Sequence, residues 1–217
     1  MNEASSEPAE PLRDCALCPR LAAFRNEQRA RYPDWHNAPV PSFGPKDARL
    51  LIVGLAPGLR GANRTGRPFT GDYAGDLLYA TLIKFGFARG DYRADPGDGL
   101  ELVDCRITNA VRCVPPENKP EPVEVASCRR FLLRELESGP PEAVLALGQI
   151  AHGAVLGALG KKRAAFPFAH GALHELGPFV LADSYHCSRY NTNTGKLTVP
   201  MFESVFAALR QRLGDGG

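Results

Sequence analysis

The 217-residue sequence contains no apolar run approaching the roughly 20 residues that a bilayer-spanning helix needs. Its first residues, MNEASSEPAEPLRD, have neither the basic start nor the apolar centre of a secretory leader. That absence predicts a disordered tail over residues 1–12 on a cytoplasmic protein that makes no membrane contact. Internal repeats are missing, and low complexity is confined to the two termini. An excess of one charge is missing too: a net charge of +2 permits a polyanionic partner without implying one. There is no Gly-Lys-Ser/Thr ending to any glycine-rich loop, and no glycine spacing that fits the dinucleotide fingerprint, which argues against a nucleotide-phosphate hydrolase.

What is present is the ordinary apolar and charged content of one well-buried domain, expected over residues 13–214. In a reducing compartment its six cysteines read as metal ligands or core residues rather than disulfides. Cys15 and Cys18 stand two residues apart in CALC, the spacing at which two thiolates share a metal, and Cys113 and Cys128 complete a set of four. Spacing alone leaves zinc and an iron–sulfur cluster open, because both accept four thiolates. Cys105 and Cys187 lie on or beside apolar segments and read as plain core residues.

Four apolar segments read as strands, at 49–54, 104–111, 142–148 and 177–185. Helical patterns lie between and after them. GDLLYATLIKFGF is apolar at Leu77, Leu78, Leu82, Phe85 and Phe87, and EPVEVASCRRFLLREL repeats at Val125, Cys128, Leu132 and Leu136. QIAHGAVLGAL is short and apolar, while VPMFESVFAALRQRL carries Phe202, Val205, Phe206 and Leu209 on one face. Strands alternating with helices predict an α/β fold, with a mainly parallel four-stranded sheet covered on both sides. In such sheets, sites form where loops leave the carboxyl ends of the strands. The loops there are GLAPGLRGANRTGRPFTGD, NAVRCVPPENKP, GQIAHG and YHCSRYNTNTGKLT, and two of them far exceed the few residues a strand-to-helix turn requires.

The chemistry of these loops is suggestive. Glycine lets a backbone approach a ligand closely. His186 arrives just past a strand with Ser188, Arg189, Tyr190 and Asn191, a set suited to gripping a phosphate backbone while presenting an imidazole. The plainer alternatives are a hydrogen-bonded core histidine at 186, a core phenylalanine at 69 and a helix N-cap at Asp72. The basic run GKKR, 160–163, reads either as a solvated helix end or as a phosphate contact.

Taken with the four cysteines, GLAPGLRGANRTGRPFTGD, ITNAVRCVPPENKP and YHCSRYNTNTGKLT closely resemble the family 5 uracil-DNA glycosylases, the iron–sulfur type called B. The resemblance runs from about Cys15 to the last helix. It implies the three-layer α/β/α fold of the uracil-DNA glycosylase superfamily. It also implies excision of uracil, and of hypoxanthine and xanthine, from DNA by a monomeric bacterial repair enzyme that joins the nucleoid when acting. The product would be an abasic site for base excision repair. Cys15, Cys18, Cys113 and Cys128 would hold a [4Fe–4S] cluster. Gly54, Ala56, Pro57 and Gly58 would admit the everted nucleotide, Phe69 would stack on its base, and Asn109 would read its pairing edge. Asp72 and Asn118 would place the water, in a chain whose Leu55 and Ala56 cannot, and His186 would donate to the departing base. Arg64 and Arg67 would contact phosphates, and the loop from Ser188 to Asn191 would push in from the minor groove. No lysine stands where a Schiff base would form, so strand cleavage is not expected. A non-catalytic iron–sulfur nucleic-acid-binding protein of the same fold is the alternative.

Overall fold

A computed structural model describes residues 9–214. In chain order they form α1 (Pro19–Arg31), β1 (Leu50–Gly54), α2 (Ala62–Thr65), α3 (Tyr73–Lys84), β2 (Ala88–Arg89), β3 (Glu101–Leu102), β4 (Cys105–Asn109) and α4 (Pro122–Ser138). These are followed by β5 (Ala143–Leu147), α5 (Gln149–Ala158), β6 (Leu173–Glu175), β7 (Val180–Ser184), α6 (Arg189–Asn193) and α7 (Val199–Leu213). Every residue of β1, β4, β5 and β7 is buried; β1 and β5 are accordingly unbroken apolar runs, while β4 (Cys-Arg-Ile-Thr-Asn) and β7 (Val-Leu-Ala-Asp-Ser) bury polar residues as well.

The four pair in parallel in the order β4–β1–β5–β7, with Gly54 opposite Asn109 and Leu145 opposite Ala182. Successive side chains go to opposite faces. Leu50, Ile52, Leu145 and Ala182 share one core with Leu78 and Leu82 of α3 and Phe202 and Phe206 of α7. Leu51, Val53, Val144 and Leu181 share the other with Leu132 and Leu136 of α4 and Val155 of α5. The result is three layers, helix–sheet–helix, with the carboxyl ends of all four parallel strands at one edge. Among the described residues no helix is long and apolar enough to cross a membrane.

The sheet has a fifth strand that the four-strand expectation missed. β6 pairs antiparallel with β7, Leu173 opposite Ala182. Its three residues, Leu-His-Glu, are exposed or half-buried at an edge, so they carry no apolar run to detect. Helix α1 was also missed. It buries Leu21 against Val111 and Phe131, yet its face is broken by buried Arg25 and Gln28. Of the expected tail, residues 1–8 lie outside the described residues, while Glu10 accepts a hydrogen bond from the Ser42 amide at 3.0 Å.

Candidate active site

The ends of β1 and β4 lie side by side, and Gly54, the last residue of β1, is bare for a reason. A Cβ on Gly54 would collide with Asn109 Oδ1 and with the Phe69 ring. Phe69 itself has φ +52°, a left-handed backbone that a side chain rarely adopts, and its ring lies 5.9 Å from that of His186. Together these elements frame a cavity of about 610 Å³. Its walls include Ala56, Pro57 and Gly58 from the β1 loop, Asp72, Asn109, Asn118, and His186, Ser188 and Arg189 from the loop after β7. Segments more than a hundred residues apart in sequence thus meet at one edge of the sheet.

Asp72 is both a cap and a pocket wall. Its Oδ1 accepts from the Gly75 amide at 3.2 Å, fixing the start of α3. Its Oδ2 faces Gly58 and Gly61: a Cβ there would stand 3.1 Å and 2.5 Å from this oxygen. The two glycines keep space open around the carboxylate. Burial raises the Asp72 pKa above the ordinary carboxylate value. At His186, which lines the same cavity, burial pushes the pKa down to about 4, so the imidazole is neutral at pH 7. Among the described residues neither His186 ring nitrogen has a recorded hydrogen-bond partner, while its carbonyl accepts from Asn191 Nδ2 at 2.8 Å. Asn109 Oδ1 is also buried without a partner. An orphaned buried acceptor is costly unless something fills it, and here it borders the cavity.

Asn118 ends a short turn over Pro116–Asn118 with φ +56°, a conformation asparagine tolerates better than most residues. Ser188 caps α6, where a loop was expected, and Tyr190 is 74% exposed beside the pocket. Arg189 holds its guanidinium 5.2 Å from the Tyr73 ring. Arg64 is exposed and donates to the Arg60 carbonyl.

Arg67 is a correction. It is only 4% exposed, and Asp98 holds both of its terminal nitrogens at 2.8 Å, so it cannot reach a phosphate. Arg60, which is exposed and sits in the same loop, lines the cavity instead, as Arg189 does from the loop after β7. Its position among glycines was the available signal.

Cys15, Cys18, Cys113 and Cys128 line a second, narrow cavity with Leu21 and Phe131. Arg25 Nη1 donates to Cys113 Sγ at 3.7 Å, and the Arg112 amide donates to Cys128 Sγ at 3.4 Å. Burial pushes Cys113 up to about 12 and Cys128 up to about 11, and it raises Cys18 as well. A bound cation would reverse that preference and hold the thiolates. Four convergent sulfurs with N–H donors aimed at two of them fit an iron–sulfur cluster. His152, Asp183 and His174 also lie close together, but at 2.7 Å and 3.1 Å they are hydrogen-bonded, with His152 Nε2 set 2.8 Å from the Phe166 carbonyl. They join α5, β6 and β7. Cys105 and Cys187 are wholly buried, as expected of core residues.

Comparison with known proteins shows the family. The profile of the uracil DNA glycosylase superfamily matches residues 41–210. A type-5 uracil-DNA glycosylase of Thermus thermophilus is 46% identical over 214 residues, covering 94% of this chain and 96% of that protein. One from Pyrobaculum aerophilum is 42% identical over 210 residues, covering 95% and 91%. A type-4 uracil-DNA glycosylase of Archaeoglobus fulgidus is 37% identical over a shorter stretch, 52% of this chain and 49% of that protein. Similarity of this breadth means that the chain belongs to the type-5 uracil-DNA glycosylases, within the uracil DNA glycosylase superfamily.

Proposed function

We propose that this enzyme hydrolyses the N-glycosidic bond of deoxyuridine in DNA and leaves an abasic site. The observation that carries the reading is one cavity bordered by Asp72, by His186 and by the unpartnered Asn109 oxygen. Rupture of that bond puts positive charge on the sugar and negative charge on the base. An everted uracil stacks on Phe69, an interaction of about 1–3 kcal/mol for a base on an aromatic ring. Asn109 offers Oδ1 to N3–H and its amide to O4. Asp72 Oδ2, with Asn118, orients the attacking water and takes its proton, and the pKa raised by burial makes it a stronger base. His186, neutral and free to donate, stabilises charge on the base oxygen; loss of such a donor costs about 2.7–4 kcal/mol. Arg64, Arg60 and Arg189 meet the backbone phosphates, with Ser188 and Asn191 shaping the loop that places exposed Tyr190 against the stack.

The cavity volume of about 610 Å³ supports admission of hypoxanthine and xanthine as well as uracil. Cys15, Cys18, Cys113 and Cys128 hold a [4Fe–4S] cluster, whose iron–sulfur bonds would tie the N-terminal segment before α1 to the loop after β4 and to α4. Arg25 and the Arg112 amide, which donate to Cys113 Sγ and Cys128 Sγ, would stabilise these two as thiolate ligands. The experiment is free-base release from paired and unpaired DNA carrying uracil, hypoxanthine or xanthine. Release of uracil is expected. No release from any of them would retire the enzyme reading in favour of a DNA binder.

A further inference from the structure

The hairpin β2–β3 stands outside the main sheet and takes no part in the cavity. Two of the residues between its strands nonetheless reach back to the segment that carries Phe69 and Asp72. Asp98 holds Arg67 through two bonds of 2.8 Å, and Arg67 Nε donates to Thr70 Oγ1 at 2.7 Å. The guanidinium lies 5.4 Å from the Phe43 and Tyr79 rings and 5.7 Å from that of Tyr92. Rings on several sides and a bidentate carboxylate leave it no freedom to rotate.

The two tyrosines then reach the backbone. Tyr79 Oη donates to the Pro68 carbonyl at 2.7 Å, and Tyr92 Oη to the Phe69 carbonyl at 3.1 Å. Thr65 Oγ1 donates to the Thr70 carbonyl at 3.1 Å, and the Gly71 amide donates to Tyr92 Oη at 3.4 Å. Four consecutive residues, 68–71, are therefore each gripped by a side chain. Within them Phe69 keeps its left-handed φ of +52° and Gly71 one of +88°. Glycine adopts its positive φ freely, but the one at Phe69 persists only where its surroundings over-determine it. The grip supplies that constraint before any ligand arrives.

We infer that Arg67 is a positioning residue, locked by Asp98, Tyr79 and Tyr92, and that the β2–β3 hairpin is a brace that presets the Phe69 ring and the Asp72 carboxylate for catalysis. This rests on the roles given above to Phe69 and Asp72.

The test uses two variants of the full-length protein. Tyr92→Phe deletes one hydroxyl. Arg67→Met with Asp98→Asn removes the ion pair while keeping volume and an acceptor oxygen for one of the two backbone amides, Arg93 or Leu100, that Asp98 serves. Replacing a buried pair by groups of similar volume often preserves stability, which separates positioning from mere folding. Single-turnover uracil excision should fall about tenfold in the first and about a hundredfold in the second, the scale set by an ångström of misplacement. Duplex affinity should stay within about twofold, since the phosphate contacts that dominate it are untouched. Hydrogen–deuterium exchange over residues 66–75 should accelerate. The acid limb of the rate profile should move to lower pH as Asp72 gains water. Leu136→Ala, which weakens the opposite core, should lower thermal stability and leave rate and exchange unaltered. Wild-type rate and exchange in both folded variants would overturn the inference. A wild-type protein that releases no base would instead defeat the functional reading, and the exchange data would still judge the brace.

Discussion

The space around Asp72 Oδ2 gives a graded test of its role. Gly58 and Gly61 both face this oxygen, and an added methyl would stand 3.1 Å and 2.5 Å from it respectively. Ordinary van der Waals contact begins at 3.4 Å. Gly58→Ala thus demands a shift of about 0.3 Å, and Gly61→Ala one of about 0.9 Å, by the carboxylate proposed to orient water. A misplacement of about 1 Å can cost about a hundredfold in rate, and each tenfold is about 1.4 kcal/mol of barrier. Gly61→Ala should therefore raise the barrier by about 2.7 kcal/mol and Gly58→Ala by well under half of that. Neither change removes a polar group or a phosphate contact, so both proteins should bind uracil-containing duplex as the parent does. The assay is single-turnover base release with enzyme in excess, beside fluorescence anisotropy for affinity. Equal rates in parent and Gly61→Ala, or a larger defect at Gly58 than at Gly61, would refute the placement of that oxygen in the chemistry.

Other expectations follow from the same geometry. The His186 pKa is lowered from 6.5 to about 4, so the unfolded chain binds the extra proton first as pH falls. Stability should be fully present above about pH 6.5 and decline toward pH 4 by up to about 3 kcal/mol from this group, and His186→Asn should flatten that slope in urea melts. Unchanged slopes would show that the imidazole is not buried. Asn109→Ala removes a buried acceptor with no partner, so melting should hold or rise while uracil excision falls about 10- to 100-fold; a parallel loss of stability would contradict this. The proposed [4Fe–4S] cluster predicts a brown protein that Cys113→Ser bleaches and makes less soluble, and an unaltered spectrum would remove the cluster from this site.

β1 and β5 are legible as unbroken apolar runs, β4 and β7 as short segments in which apolar residues mix with polar ones, and the loops at their carboxyl ends from length and glycine content. What stayed hidden has a common cause. β6 is three residues at a solvent edge, and α1 buries an arginine and a glutamine on the face where an apolar stripe would be sought. The hairpin of β2 and β3 has two residues per strand, too few for any period to register. Arg67 reads as a phosphate contact in the sequence because its ion-pair partner, Asp98, lies 31 positions away on that hairpin. A local pattern shows which residues are charged. It does not show which charges the fold will neutralise. Asp72, by contrast, was read both as a cap and as a pocket carboxylate, and the structure gives one oxygen to each.

The central claim is that Asp72 and His186 act from two sides of one everted nucleotide. The most direct measurement is single-turnover release of uracil from duplex DNA by the wild-type protein and by Asp72→Asn, which keeps an oxygen for the helix cap. Wild type should release the base, and the variant should bind the same duplex while releasing it at least about a hundredfold more slowly. Uracil release by Asp72→Asn at the wild-type rate would contradict the account.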